Sequence, residues 1–108
     1  MDPSSYRSRI QVEVSELRGL STVSKEGRAP VELDQQSVGR LSRMDAMRQQ
    51  SMDIAREDRR QARLHVLVAA LGRLDENEYG YCLRCGEDIP AARLDVDPAV
   101  TLCVGCAG

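Results

Sequence analysis

Two short stretches of this sequence, Cys82-Leu83-Arg84-Cys85 and Cys103-Val104-Gly105-Cys106, contain all four of its cysteines. Seventeen residues separate the two pairs, and this is the spacing of a four-thiolate zinc site. Zinc prefers a tetrahedron of ligands, and a gap of two residues lets a tight turn present both thiolates to one ion. Because the four cysteines would fill the tetrahedron, we expect them to hold one structural Zn²⁺ with no open position for a substrate.

Other chemistry is open to four cysteines, and the rest of the sequence bears on it. Two disulfides would suit a short secreted chain, but residues 1–7 are not followed by the apolar run of a signal peptide. The longest apolar run, residues 66–71, is too short to span a membrane. We therefore expect a cytoplasmic protein with no membrane segment, whose thiols stay reduced. The only histidine, His65, is expected to lie on a helix and not to bind the metal.

Composition limits both the core and the partners of this chain. Its 108 residues include no Trp, no Phe and only three Tyr, which is too little aromatic surface for a large compact core. Residues 37–63 carry seven arginines against four acids, whereas residues 64–108 carry three basic and seven acidic groups. Proteins that bind nucleic acid through its phosphates usually show a basic face. The acidic surroundings of the cysteines therefore predict no sequence-specific contact with DNA.

Apolar spacing predicts two helices upstream of the cysteines. Residues 6–23 place four apolar side chains at helical spacing: Ile10, Val14, Leu17 and Leu20. Val12 and Val14 also allow a strand. Residues 24–34 contain the glycine and proline of a loop. A longer helix is predicted over about residues 35–74, where five apolar side chains form a stripe: Leu64, Leu67, Val68, Leu71 and Leu74.

A helix of about forty residues cannot stay solvated on every side, so it needs a partner along one face. The first helix is the only candidate within the chain, and an antiparallel helical hairpin, or short coiled coil, is the economical arrangement. We therefore predict a mainly α fold, with a helical hairpin over residues 1–78 and a small four-cysteine zinc-finger module over residues 79–108. The longer helix has more apolar face than the first helix can cover, which leaves self-association open.

Two further groups on the longer helix each allow a plain and a functional interpretation. Four arginines lie in its middle: Arg56, Arg59, Arg60 and Arg63. They form either a solvated face with local ion pairs or a docking stripe for an acidic protein surface. Three methionines either fill gaps in a core or form a binding surface: Met44, Met47 and Met52.

The residues around the cysteines follow one another in a specific order. The first block is Tyr79-Gly80-Tyr81-Cys82-Leu83-Arg84-Cys85-Gly86-Glu87-Asp88-Ile89, and after it come Ala92-Arg93-Leu94, Pro98 and Leu102-Cys103-Val104-Gly105-Cys106. This order, behind a long charged helix, resembles the DksA/TraR family of bacterial zinc-finger regulators. The resemblance is close over about residues 70–106 and extends, as a helix pattern, back to about residue 34.

The resemblance implies a function that the spacing alone does not. Members of that family are transcription regulators that bind RNA polymerase and not promoter DNA. Their helical hairpin enters the secondary channel of the polymerase and points an acidic tip toward its active site, often together with the alarmone ppGpp. By resemblance, we expect this chain to bind RNA polymerase and to modulate transcription initiation.

The sequence departs from the family pattern at two points. The tip motif of the family, D-x-x-D-x-A, does not occur, and the acids nearest to the expected tip are Glu32, Asp34 and Asp45. Each of them is a candidate for facing the polymerase and equally a solvated surface acid. The sequence also stops two residues after Cys106, where longer family members carry a C-terminal helix, and this weighs against a role for ppGpp.

Two other functions stay open on the sequence. A nucleic-acid-binding zinc ribbon would place the arginines of the longer helix on phosphates, although the chain is poor in stacking aromatics. A zinc-thiolate redox switch would release its metal on oxidation. Enzymatic activity is not expected, because the sequence shows no Ser/His/Asp set, no glycine-rich phosphate loop and no open metal site.

Overall fold

The computed structural model describes residues 2–28 and 40–107. These residues form five helical elements: helix α1 over Pro3–Val23, a short 3-10 helix over Lys25–Arg28, the long helix α2 over Arg40–Asp75, and two short helices, α3 over Ala91–Val96 and α4 over Val104–Ala107. No β-strand occurs in the described ranges, where one isolated antiparallel bridge joins Tyr81 and Asp88. The predicted mainly α fold is confirmed.

Helix α1 begins at Pro3, before the start near residue 6 that the apolar spacing suggested. Proline suits the first helical turn, where its missing N–H would have no partner. Asp2 caps this turn, because its Oδ1 accepts a hydrogen bond from the backbone N–H of Ser4 at 3.1 Å. The predicted start of the longer helix, near residue 35, lies outside the described residues. The boundary between residues 78 and 79 stays a prediction.

The chain divides into two compact units, and helices α1 and α2 contribute to both. The first unit comprises Met1–Ser15 and Leu64–Gly108, and the second comprises Glu16–Arg63. In the first unit Arg7 Nη1 lies 2.7 Å from Asp75 Oδ1, at the end of α2. In the second unit the Ser21 hydroxyl donates to Glu57, earlier in α2, at 2.8 Å. These pairings are those of an antiparallel helical hairpin.

The first unit contains the hydrophobic core. Helix α1 contributes three buried side chains spaced four residues apart, which places them on one helical face: Tyr6, Ile10 and Val14. Helix α2 and the segment after it contribute the others: Leu64, Leu67, Ala70, Leu74, Tyr79, Cys82, Ile89, Leu94 and Ala99. Full burial of one large aliphatic side chain contributes roughly 1.5–3 kcal/mol. Apolar burial therefore stabilises this unit.

The second unit is held together by polar groups. Among its described residues no hydrophobic side chain is buried. Its three methionines in α2 are 46–55% exposed, so the interpretation of them as core fillers is wrong. The arginines of α2 differ in their surroundings: the Arg56 side chain is 50% exposed beside Asp53, whereas that of Arg60 is 15% exposed beside Glu57. The arginine run is therefore only in part a solvated face.

No helix in the described ranges combines enough length with enough apolar character to cross a membrane.

Candidate metal centre

The four cysteines meet at one point in the first unit. The Sγ atoms of Cys82, Cys85, Cys103 and Cys106 all lie within 4.8 Å of one another, and those of Cys85 and Cys103 are 3.7 Å apart. Zn–S bonds of about 2.3 Å in a tetrahedron place the sulfurs about 3.8 Å apart. All four cysteines are free, so the disulfide alternative is not what the structure shows. The donor set and its spacing fit a zinc ion.

The first cysteine pair lies on a tight hairpin. The Cys82 N–H donates to the Glu87 carbonyl at 2.8 Å, and the Gly86 N–H donates back to the Cys82 carbonyl at 2.9 Å. Gly86 closes this turn at φ +77°, a left-handed conformation in which a side chain would be strained. The turn places the Cys82 and Cys85 thiols on the same side of the hairpin, as one metal ion requires.

The second cysteine pair begins a helix. Cys103 precedes α4, and its carbonyl accepts a hydrogen bond from the Ala107 N–H at 2.9 Å. The two pairs are joined by the backbone, because the Leu83 N–H donates to the Thr101 carbonyl at 2.8 Å. Arg93 Nε also donates to the Leu102 carbonyl at 2.8 Å, which ties α3 to the segment before Cys103.

The sulfur cluster needs a cation in order to ionise. Backbone N–H groups near Cys103 and Cys85 lower the pKa of the Cys82 thiol to about 6, because they stabilise its thiolate. Hydrogen bonds with Cys103, Cys82 and Cys85 raise the pKa of the Cys106 thiol to about 12. Four neighbouring sulfurs therefore cannot all become thiolates without a positive charge between them. A divalent metal supplies that charge, and its binding releases the remaining protons.

Of the remaining predicted site residues, the structure describes His65 and Asp45. His65 is exposed on α2 and is not part of the four-sulfur group. Asp45 is also exposed on α2, in the second unit. The other two tip candidates, Glu32 and Asp34, lie outside the described residues. A polymerase-facing role for these three acids stays a prediction.

The sequence reasoning missed the tyrosines that support the metal module. The Tyr6 hydroxyl donates to Asp95 at 2.6 Å, and the Tyr79 hydroxyl donates to the Pro98 carbonyl at 2.6 Å. The centroids of the Tyr6 and Tyr79 rings are 5.7 Å apart. The sequence did contain a signal for them. The chain has only three large aromatic side chains, all tyrosines, and aromatic side chains tend to dominate a small core.

Comparison with known proteins bears directly on this module. The family model described as the prokaryotic dksA/traR C4-type zinc finger matches residues 77–108. Residues 77–108 are thus similar to the dksA/traR C4-type zinc finger. A C4-type finger holds one structural zinc ion, so the predicted cofactor is confirmed.

Two curated relatives and one solved structure extend the likeness beyond the finger. The RNA polymerase-binding transcription factor DksA of Haemophilus influenzae is 36% identical over 56 residues, which cover 52% of this chain and 39% of that protein. Its counterpart from Escherichia coli is 29% identical over 56 residues, covering 52% and 37%. The matched segment thus spans about two fifths of these relatives.

The structure of transcription factor DksA2 from Pseudomonas aeruginosa superimposes with a TM-score of 0.81. The match covers 97% of this chain and 79% of that chain, at 21% sequence identity. At this identity the likeness concerns the fold alone. It supports the helical hairpin joined to a small zinc module as the fold of this chain.

Proposed function

We propose that this chain is a non-enzymatic transcription regulator that binds bacterial RNA polymerase in the cytoplasm. The observation that carries the proposal is the DksA/TraR zinc finger at residues 77–108 on a helical hairpin. The relatives that share this finger are named RNA polymerase-binding transcription factors. No open metal position or nucleophile–base set accompanies the finger in the described residues, which favours a binding role.

In this proposal the metal ion is structural. Zinc would bind the thiolates of Cys82, Cys85, Cys103 and Cys106. It would supply positive charge there and cross-link the tight turn of the first cysteine pair to α4. The chain's own side chains place the finger within the first unit. The Tyr6 hydroxyl of α1 donates to Asp95, and the Tyr79 hydroxyl, in the segment after α2, donates to the Pro98 carbonyl. The finger is thus part of the folded core of that unit, and its loss would disturb any surface built on it.

The proposed binding mode is entry of the helical hairpin into the secondary channel. Acids near the hairpin tip would then lie close to the basic, magnesium-bearing catalytic centre of the polymerase, where negative charge is favoured. Glu32, Asp34 and Asp45 are the candidates for that position. The exposure of the Asp45 side chain supports its inclusion, because an acid that contacts a partner must be accessible.

Co-purification with RNA polymerase core enzyme tests the proposal. We expect the chain to bind at micromolar concentration. We also expect hydroxyl radicals, formed when Fe²⁺ replaces the catalytic magnesium and reduces peroxide, to cleave it within residues 30–46. Adding ppGpp to the same assay tests the second partner that the family resemblance suggests. Failure to bind polymerase at micromolar concentration, with zinc present, would overturn the proposal.

Paired variants separate the tip from the remaining surface. Asp45→Asn should retain binding and weaken the effect on initiation, because the acid is expected to act near the active centre. Asp58→Asn is the matched control, since Asp58 is also an exposed acid of α2. Equal effects of the two substitutions would exclude Asp45 from the tip.

A further inference from the structure

A cluster of charged and hydroxyl side chains lies between the end of α1 and the middle of α2, in the second unit. The Ser24 hydroxyl accepts hydrogen bonds from the guanidinium groups of both Arg28 and Arg60, the latter at 3.2 Å. Glu57 Oε1 lies 2.6 Å from Arg60 and 3.5 Å from Arg28. All of these residues belong to the second unit.

The cluster carries more positive than negative charge among its described residues. Two guanidinium groups share one carboxylate, and the carboxylate also accepts hydrogen bonds from Ser21 at 2.8 Å and from Gln61 at 3.0 Å. The Arg28 and Arg60 side chains are only 21% and 15% exposed. Partly buried guanidinium groups bind oxyanions strongly through two parallel N–H groups. The cluster therefore has capacity for a second anion.

We propose that Ser24 is a phosphorylation site whose phosphate group is held by Arg28 and Arg60. The serine is at a turn between Val23, the last residue of α1, and the 3-10 helix, and it is partly exposed. Its oxygen is already in contact with both cations, so a phosphate on that oxygen would be formed next to them. Placing a phosphate against two arginines creates charge-assisted hydrogen bonds.

The modification requires a nucleoside triphosphate and a protein kinase. The Ser24 Oγ attacks the γ-phosphorus, a new O–P bond forms, the bond to the β-phosphate oxygen breaks, and the serine proton leaves to solvent. The product carries a phosphate dianion in place of a neutral hydroxyl. This anion competes with Glu57 for the two arginines, while Glu57 keeps its hydrogen bonds from Ser21 and Gln61. Phosphorylation would thus redistribute the polar contacts that hold the second unit together.

The experiment uses the full zinc-loaded chain with phosphoserine incorporated at position 24 through an amber codon. We expect the midpoint of thermal helix loss to rise by about 4 °C or more relative to the unmodified chain. We also expect the second pKa of the phosphate, measured by phosphorus NMR, to fall below its usual value of about 6, because the guanidinium groups favour the dianion.

Controls distinguish this site from an incidental phosphate. Arg60→Gln should weaken both effects, because Arg28 alone remains, whereas Arg56→Gln should leave them unchanged, because Arg56 pairs with Asp53 and is half exposed. Phosphothreonine at position 22 is a second control, since the Thr22 hydroxyl donates to the Arg18 carbonyl and is exposed. A lower midpoint, an ordinary phosphate pKa or insensitivity to Arg60→Gln would overturn the proposal.

Two further measurements address the source of the anion. If inorganic phosphate alone stabilises the unmodified chain as much as phosphoserine does, the cluster receives free oxyanions and the covalent proposal fails. Mass spectrometry of the chain isolated from its own cells, in growth and in starvation, should find a phosphoryl group on the peptide that contains Ser24. Its absence in both conditions would exclude the modification.

Discussion

Tyr79 joins the segment after α2 to the segment that leads into the second cysteine pair. Its side chain is 5% exposed, and its hydroxyl donates to the Pro98 carbonyl at 2.6 Å. A buried carbonyl that loses its donor remains desolvated and unpaired, which costs about 1–3 kcal/mol. The Tyr79 hydroxyl therefore has a structural role that a phenylalanine ring, which has no hydrogen-bond donor, cannot replace.

We predict that Tyr79→Phe lowers the free energy of unfolding by about 1–3 kcal/mol for this reason. Tyr81→Phe is the control, because Tyr81 is 48% exposed and its hydroxyl can therefore be solvated. Chemical denaturation of both zinc-loaded variants measures the difference. Equal stability of the two variants would mean that the Tyr79–Pro98 hydrogen bond contributes nothing.

The same tyrosine predicts a response to alkali. Burial raises the pKa of Tyr79 to about 12, whereas a tyrosine in the unfolded chain titrates near 10. Because the pKa of Tyr79 is higher in the folded state than in the unfolded chain, its contribution to folding stability is complete below about pH 10. That contribution is lost as pH rises toward 12. We expect stability to decline over that window in the parent chain and to decline less in Tyr79→Phe, as measured by thermal denaturation against pH.

Glu57 predicts the opposite response, to acid. Hydrogen bonds from Gln61, Ser21 and Arg60 lower its pKa to about 2, although desolvation acts against them. A carboxyl group whose pKa is lower in the folded state than in the unfolded chain stabilises the fold at pH values above its ordinary pKa. That stabilisation is lost as pH falls toward 2. We expect Glu57→Gln to lower the thermal midpoint at pH 7 and to flatten the acid decline below about pH 4.5.

The matched control for this substitution is Asp58→Asn. Asp58 neighbours Glu57 in α2 but is exposed, and exposed acids contribute little to stability. If Asp58→Asn flattened the acid decline as much as Glu57→Gln did, the effect would reflect general charge and not the Glu57 cluster.

At the scale of elements, α1 and α2 use two different chemistries along their lengths. In the first unit they bury Ile10 and Leu67 at 0% exposure. In the second unit the Ser21 hydroxyl of α1 donates to Glu57 of α2, and Glu57 pairs with Arg60 within α2. Apolar burial is worth more than partly solvated ion pairs, whose median contribution is near 0–1 kcal/mol. The first unit should therefore be the more stable part of both helices.

We predict that Ile10→Ala costs about 2–5 kcal/mol, as expected for truncation of a fully buried aliphatic side chain. Val12→Ala is the control: Val12 lies in the same helix and is 56% exposed, so its truncation should stay within about 0.5 kcal/mol. Hydrogen exchange adds a second readout, in which amides of α2 before residue 63 should exchange faster than those of residues 64–75. A uniform exchange rate along α2 would contradict the difference between the units.

The sequence predicts which side chains of α2 are buried only where a residue pattern has a single structural interpretation. Apolar residues at helical spacing predict a buried face on α2, and Leu64, Leu67 and Leu74 are buried. Val68, which belongs to the same predicted stripe, is 46% exposed, so the stripe is wrong at that position. Charged residues at the same spacing do not reveal which of them is enclosed, because an exposed and a buried arginine look alike in sequence. The contrast between Arg56 and Arg60 therefore needed the structure. The Tyr6–Asp95 contact joins residues 89 positions apart, and no local pattern reports such a distance.

At the scale of the whole molecule, the metal was the most predictable feature. The two-residue gaps and the seventeen-residue separation identify a four-thiolate set without any knowledge of the fold. The local reason is visible in the hairpin, where Gly86 at φ +77° closes the turn that presents Cys82 and Cys85 together. Turn chemistry is local and is therefore readable from sequence. The position of the finger against α1 is set by side chains far apart in the chain and is not readable in that way.

Removal of zinc should therefore change the environment of the tyrosines as well as that of the cysteines. All three tyrosines lie in the first unit with the sulfur cluster, and the chain has no Trp to mask their signal. Without the cation the thiols reprotonate and the cross-link between the two cysteine pairs is lost. We expect chelation to abolish the near-ultraviolet tyrosine dichroism while much of the far-ultraviolet helix signal remains, because α2 alone contributes 36 helical residues.

Stoichiometric Zn²⁺ should restore the tyrosine signal, whereas Mg²⁺ should not, because magnesium prefers oxygen ligands. Cys103→Ser should reproduce the chelated spectrum in the presence of zinc, since it removes one of the four sulfur donors. Ser51→Cys offers a matched control, because it adds a thiol at an exposed position of the second unit without altering the cluster. If the parent chain kept its tyrosine dichroism after complete metal removal, the finger would be folded by its apolar contacts alone, and the metal would not be the constraint that joins its two halves.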